Sequence, residues 1–166
     1  MYMQESPFRL PRYEEIPDIG LYLDQTAKYI NSYLESFGDM NITTSMISNY
    51  VKHGLVDNPI KKQYSREQIA YLIFIAIAKT VLSLEDIQLL INMQKKTYSP
   101  RKAYEYFCNE FENILFFIFE LKDTLDEVGG DNTHEKTMLR NVIITVAHKI
   151  YLDKYFAAMH VDQERK

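Results

Sequence analysis

The stretch SREQIAYLIFIAIA, residues 65–78, decides the fold of this chain. Its first four residues form a capping box, in which the Ser65 hydroxyl and the Gln68 side chain satisfy backbone amides at the start of a helix. The ten residues that follow are apolar around the whole helical circumference, which is typical of a helix buried on all sides. The stretch therefore predicts a central helix against which the rest of the chain packs.

The composition is that of a compact helical protein. The chain has 166 residues, of which 46% are hydrophobic and 13% aromatic, so it can bury a sizeable core. It contains only 5 Gly and 5 Pro, which argues against a fold of many strands and tight turns. We expect an all-α fold.

Helical patterns and breaks divide the chain into three predicted parts. Residues 1–20 contain three prolines and should form an extended N-terminal arm. Residues 21–95 should contain a helix-turn-helix, and residues 98–162 should form a helical hairpin. The first hairpin helix begins at Ser99-Pro100 and is expected to continue past Leu125, and the second begins near Thr133.

The last helix carries a wide apolar seam. Met138, Val142, Val146 and Ile150 recur every four residues, and a second apolar row accompanies them. This seam is wider than one partner helix requires, so we expect the C-terminal helices to mediate a homodimer.

Charge distribution and cysteine content exclude several classes of protein. The net charge is −4, yet residues 40–66 contain four basic residues and one acid, whereas residues 83–130 contain five basic residues and nine acids. The single cysteine, Cys108, excludes a disulfide framework and a zinc site built mainly from thiolates. Because the start lacks a signal-peptide pattern and no apolar run is long enough to span a bilayer, we expect a cytoplasmic protein without membrane contact.

A second predicted helix, residues 43–54, has two contrasting faces. Met46, Ile47, Tyr50 and Val51 form its apolar stripe, with Thr43 or Thr44 as the N-cap. The opposite face lacks acids and carries hydroxyl, amide and cationic groups that can hydrogen-bond base edges and phosphates in double-stranded DNA. The predicted DNA-binding residues are Thr44, Ser45, Ser48, Asn49 and Lys52, followed by Lys61, Lys62 and Arg66. The same residues also fit a solvated amphipathic helix followed by a lysine-bearing loop.

The order of these elements resembles the N-terminal domain of MerR-type regulators across roughly residues 21–93. The matching positions are Tyr50, Gly54, Leu55, Lys62, Tyr64, Ser65, Ile69, Ser83, Leu84 and Ile87. The resemblance implies a winged helix-turn-helix, with helix 43–54 as recognition helix and loop 57–64 as wing. From residues 10–13 through residues 45–52 the chain is also similar to an uncharacterised bacterial family of small proteins regarded as transcriptional regulators.

Some features depart from the MerR pattern. The arginine of the recognition helix is missing near Ser48-Asn49, the turn at residues 38–42 is long, and the wing loop is short and lacks glycine. The C-terminal metal-binding cysteines of the metal-sensing members are also absent, so metal sensing is not expected.

Catalytic motifs do not emerge from the sequence. The four histidines lack metal-binding spacing, and there is no P-loop, dinucleotide fingerprint or nucleophile elbow. We therefore expect no enzymatic activity and no cofactor. The alternative to a DNA-binding regulator is a helical module for protein interaction or small-ligand binding. In that case residues 111–119 form either a core helix or the wall of a ligand pocket.

Overall fold

Residues 8–128 and 132–166 are the part of the chain that this computed structural model describes, and they form six α-helices and one two-stranded antiparallel sheet. The helices are α1 (Leu23–Leu34), α2 (Thr44–Lys52), α3 (Arg66–Ala78), α4 (Leu84–Thr97), α5 (Pro100–Ile118) and α6 (His134–Glu164). The strands are β1 (Leu21–Tyr22) and β2 (Gln63–Tyr64), with Leu21 opposite Tyr64. The predicted mainly α-helical fold is confirmed.

Local capping signals set the helix starts. The Ser65 hydroxyl accepts a 3.3 Å hydrogen bond from the Gln68 backbone N–H, and the Gln68 side chain accepts one of 2.8 Å from Ser65 N–H. Thr43 caps α2, and Thr133 caps α6. Ser99 caps α5, in which Pro100 takes the first helical position. These starts agree with the sequence because a cap depends only on residues within one helical turn.

Helix α3 is the centre of the core, as its sequence predicts. Eight of its thirteen residues are buried, and it contacts α1, α5 and α6. One continuous hydrophobic cluster contains residues from α1 through α6. The predicted boundary between residues 95 and 98 falls at the junction of α4 and α5, and the hydrophobic core continues across it.

The N-terminal arm lies against α5. Its described part, residues 8–20, contains a short 3₁₀ turn (Tyr13–Glu15), and residues 1–7 of the predicted arm lie outside the described residues. The Tyr104 hydroxyl donates a 2.6 Å hydrogen bond to the Pro11 carbonyl, and Arg12 forms an ion pair with buried Glu112. The arm is therefore part of the folded unit.

The C-terminal hairpin differs from the prediction in two respects. Helix α5 ends at Ile118, and beyond it the Asn113 side chain donates to the Asp126 carbonyl at 2.9 Å and accepts from the Asp126 N–H at 3.1 Å, so that the following segment is held back against the helix. The apolar seam of α6 also faces inward. Val142, Val146 and Ile150 are buried in the core of their own chain, so this part of the seam is not a dimer surface.

Candidate nucleic-acid interface

The turn between α1 and α2 is fixed by one asparagine. The Asn31 amide donates to the Ile42 carbonyl and accepts from the Ile42 N–H, both at 2.8 Å. Gly38, at a φ of +100°, ends the 3₁₀ turn (Glu35–Phe37) that follows α1. This pair of hydrogen bonds ties the start of α2 to α1 despite the long connection.

Helix α2 presents the two faces that its sequence predicts. Ile47 and Tyr50 are 0% and 3% exposed, and they anchor the helix in the core. On the outer face, Thr44 is half-buried, and the exposed residues are Ser45, Ser48, Asn49 and Lys52. The structure therefore brings five of the predicted DNA-binding residues together on one helix, with no acidic side chain among them.

A tight hairpin turn follows α2. The Ile60 and Gln63 backbones exchange hydrogen bonds of 3.1 and 2.9 Å, and Lys61 and Lys62 form the two-residue tip between them. Both lysines have positive φ, at 52° and 65°, as the central residues of a type I′ turn do. This conformation normally selects Asn-Gly, so two exposed lysines occupy a backbone that disfavours them.

Gln68, which completes the capping box of α3, also holds the hairpin to that helix. Gln68 Nε2 donates to the carbonyls of Asp57 and Asn58, at 2.9 and 3.0 Å. The pairing of β1 with β2 ties the other side of the hairpin to the start of α1. The two lysines at the tip are thus held by two contacts with the helical core.

The segment that contains α2 and the hairpin tip is locally positive. Residues 43–64 contain three lysines and one acid, Asp57, a local net charge of +2. Lys52, Lys61 and Lys62 are exposed, and within the described ranges they form no ion pair. We call these three lysines and the outer face of α2 the basic surface.

Arg66, the remaining predicted DNA-binding residue, has its partners in the N-terminal arm. Its Nε donates to the Ile16 carbonyl at 2.7 Å, and its terminal nitrogens contact the carbonyl and the carboxylate of Glu14 at 3.2 and 3.3 Å. Its side chain is only 19% exposed. The structure therefore uses Arg66 to hold the N-terminal arm, a role that the local sequence does not signal.

Two further contacts position α2, and sequence reasoning missed both. Gln88 Nε2 of α4 donates to the Gly54 carbonyl beyond the end of α2, at 3.1 Å. Lys79 directly follows α3, and its Nζ donates at 3.1 Å to the carbonyl of Asn41, which precedes α2. Each joins residues more than thirty positions apart, and no local pattern in the sequence indicates such contacts.

None of the helices in residues 8–128 and 132–166 has the length and apolar character required to cross a bilayer. The same residues contain no group of three or more His, Cys, Asp or Glu side chains arranged to hold a metal ion.

Comparison with known proteins gives a family but no described activity. Neither the curated proteins nor the solved structures yielded a significant match. A family model described as a domain of unknown function, DUF1836, matches residues 11–107. The matched region begins in the N-terminal arm, contains α1 to α4 with the whole basic surface, and ends within α5. Since it covers more than half of the chain, the protein belongs to the DUF1836 family.

Proposed function

We propose that this protein is a sequence-specific regulator of transcription that binds double-stranded DNA through the basic surface. One observation carries the proposal. A helix whose exposed face holds only hydroxyl, amide and cationic groups is followed in the chain by a hairpin tip formed by two lysines in an unfavourable backbone conformation. The resemblance of residues 21–93 to winged MerR-type domains supports the same assignment.

Helix α2 is suited to the major groove. Its nine residues span about 13 Å, and its outer face has no bulky apolar group. Asn49 can pair with adenine through both atoms of its amide, and Lys52 can reach guanine or a phosphate. Thr44, Ser45 and Ser48 add short donors and acceptors for base edges or backbone oxygens.

The hairpin tip is suited to the DNA backbone next to that groove. An ammonium group that neutralises a phosphate gains affinity through counterion release, with no dependence on sequence. Lys61 and Lys62 offer two such groups at a fixed position, because Gln68 and the β1–β2 pairing hold the hairpin. This role explains why lysines occupy a turn that Asn-Gly would form at lower cost.

We further propose that the end of α6 joins two copies of the chain. Beyond Ile150 this helix has large apolar side chains that the described residues leave about half exposed. They are Tyr151, Leu152, Tyr155, Phe156, Met159 and Val161, each between 40% and 54% exposed. A symmetric dimer through this segment would bury these groups and present two α2 helices to successive major grooves, about 34 Å apart.

Selection from a pool of random DNA duplexes tests the proposal. The full chain should enrich a two-part motif, and its affinity for that motif should fall steeply as salt rises. The Asn49→Ala variant should keep its stability and lose about 1–3 kcal/mol of discrimination at one position of each half-site. Lys149→Ala, which removes an exposed lysine of α6, is the control and should bind like the parent.

The outcome also separates the two candidate functions. The exposed apolar end of α6 favours a protein-interaction module as the second candidate, since such a surface can serve a different partner protein. If the parent enriches no motif and binds duplex DNA no better than an Asn49, Lys61 and Lys62 triple alanine variant, the DNA proposal fails and the second candidate replaces it. Under either proposal the protein acts in the cytoplasm without catalysis, metal or cofactor.

A further inference from the structure

A pocket of about 250 Å³ lies where α3 and α4 meet the C-terminal hairpin. Four helices contribute its walls. Its apolar lining includes Ala70, Phe74, Leu90, Phe107 and Leu139. Phe74, Leu90 and Leu139 remain half-buried although they belong to the apolar core region, which shows that the pocket communicates with solvent.

The size of this pocket sets it apart from ordinary packing defects. Protein interiors are close-packed, and voids larger than a water molecule are few. An apolar cavity of roughly 150 Å³ stays dry and holds a benzene molecule. By proportion, the pocket here accommodates an apolar body of about ten carbon atoms, such as two fused aromatic rings.

The lining also contains charged and aromatic polar side chains, with two cations among them. Lys102 Nζ lies 5.1 Å from the ring centre of Tyr98, and Lys136 Nζ lies 5.7 Å from the same ring and 5.0 Å from that of Tyr106. All four of these residues line the pocket, together with one acid, Glu135. Two ammonium groups therefore flank an aromatic entrance to an apolar interior.

We propose that this pocket binds an amphipathic carboxylate whose aromatic or aliphatic body of about ten carbons fills the interior. Its carboxylate lies at the rim, where Lys102 and Lys136 provide charge-assisted hydrogen bonds. The interior excludes water from the apolar body, and the two lysines select an anion over a neutral ligand of the same shape.

The position of the pocket also links it to the basic surface. Leu90 of the pocket wall is on α4, the helix whose Gln88 donates to the Gly54 carbonyl beyond α2. A ligand that displaces α4 would thereby move the end of the recognition helix. This regulatory role rests on the proposed function, whereas binding of the carboxylate does not.

Titration calorimetry of the full chain with 2-naphthoate and with decanoate tests the site. We expect saturable binding of one molecule per chain by at least one of them. The neutral 2-naphthamide should bind about tenfold or more weakly than 2-naphthoate, since one charge-assisted hydrogen bond is worth at least that factor. Absence of saturable binding by both carboxylates at millimolar concentration would overturn the proposal.

Two variants locate the ligand. Ala103→Leu adds bulk to a half-buried wall residue at the start of α5 and should abolish binding of all three probes. Lys102→Met combined with Lys136→Met should reduce 2-naphthoate affinity to that of the amide and leave amide binding unchanged, which decides the matter even if Ala103→Leu fails to fold. Lys149→Met is the matched control on α6. Binding that the double lysine variant leaves unchanged would place the ligand elsewhere and refute the site.

The regulatory role has its own measurement. DNA affinity of the parent should change several-fold in saturating 2-naphthoate, and the double lysine variant should lose this response. If naphthoate binds and DNA affinity does not change, the regulatory role is refuted and the binding site stands. If the parent binds no DNA at all, the proposed function fails together with that role, again without affecting the calorimetric result.

Discussion

Ile60 and Gln63 exchange two backbone hydrogen bonds, of 3.1 and 2.9 Å, and thereby force the two lysines between them into the left-handed region. A side chain in that region costs about 1–2 kcal/mol per residue, whereas glycine has no such penalty and asparagine a smaller one. The fold alone would therefore favour other residues at this tip. Stability and DNA affinity should consequently respond in opposite directions when the tip is changed.

The double variant Lys61→Asn, Lys62→Gly separates these two properties. It should raise the free energy of unfolding by about 1 kcal/mol, because the strain relieved at the two positions is partly offset by the larger entropy that glycine loses on folding. This gain is equivalent to about 2–4 °C in melting temperature for a chain of this size. Its DNA affinity should fall for all duplexes alike, and the slope of log affinity against log salt should decrease by about two units. Thermal unfolding and salt-dependent anisotropy measure the two effects. A variant that is stabilised and binds with the parental slope would show that the tip does not contact phosphate.

Arg66→Ala distinguishes an arm contact from a DNA contact. Because the guanidinium donates to the Ile16 carbonyl and contacts Glu14, its loss should destabilise the fold by about 1–3 kcal/mol. The arm should also become more sensitive to protease, while the salt slope of DNA binding stays at the parental value. A slope reduced by one unit with unchanged stability would instead assign Arg66 to the DNA interface, as the sequence alone predicts.

Substitutions along α6 separate core from dimer contacts. Val146 is 1% exposed, so Val146→Glu should unfold the chain, because a buried unpaired charge costs about 3–5 kcal/mol. Tyr155 and Phe156 are 54% and 50% exposed, so their joint replacement by Glu should preserve the helical circular dichroism signal. Light scattering should then give a monomer for the double variant and a dimer for the parent. A monomeric parent at tens of micromolar would contradict the dimer proposal.

The sequence predicted those parts of the fold that depend on neighbouring residues. Helix starts at Ser65 and Thr133 follow from capping within one turn, and the buried α3 follows from its uniformly apolar circumference. The inner and outer faces of α2 follow from helical periodicity in the same way.

The remaining features depend on partners that are distant in the sequence. The segment after α5 folds back because Asn113 binds the backbone of Asp126, and Arg66 is engaged by a carbonyl fifty residues before it. The inward orientation of the α6 seam depends on how the other helices pack against it, which periodicity cannot reveal. The pocket is likewise formed by four separate helices. For residues 111–119 the sequence left a core helix and a pocket wall open, and the structure places Phe111 and Leu115 in the core.

Glu110 should make the stability of the protein depend on pH. Glu110 is 2% exposed, and this burial raises the pKa of its carboxyl group. The positive charges of Arg140, whose Nε lies 3.4 Å from the carboxylate, and of Lys122 act in the opposite direction. Since the folded-state pKa lies above the unfolded value, the unfolded chain releases this proton at lower pH than the folded chain does. The free energy of unfolding should therefore fall as pH rises from the unfolded pKa to the folded one.

Glu110→Gln removes this titration and keeps the shape of the side chain. The stability of the variant relative to the parent should increase as pH rises through that window, and it should level off above the folded pKa. Urea unfolding at pH values from 4 to 8 measures the difference at each point. Arg140→Ala is the complementary variant. It removes the attraction that lowers the Glu110 pKa, so the parental loss of stability should become larger and extend to higher pH. A Glu110→Gln profile parallel to that of the parent would show that this carboxyl has the same pKa in both states.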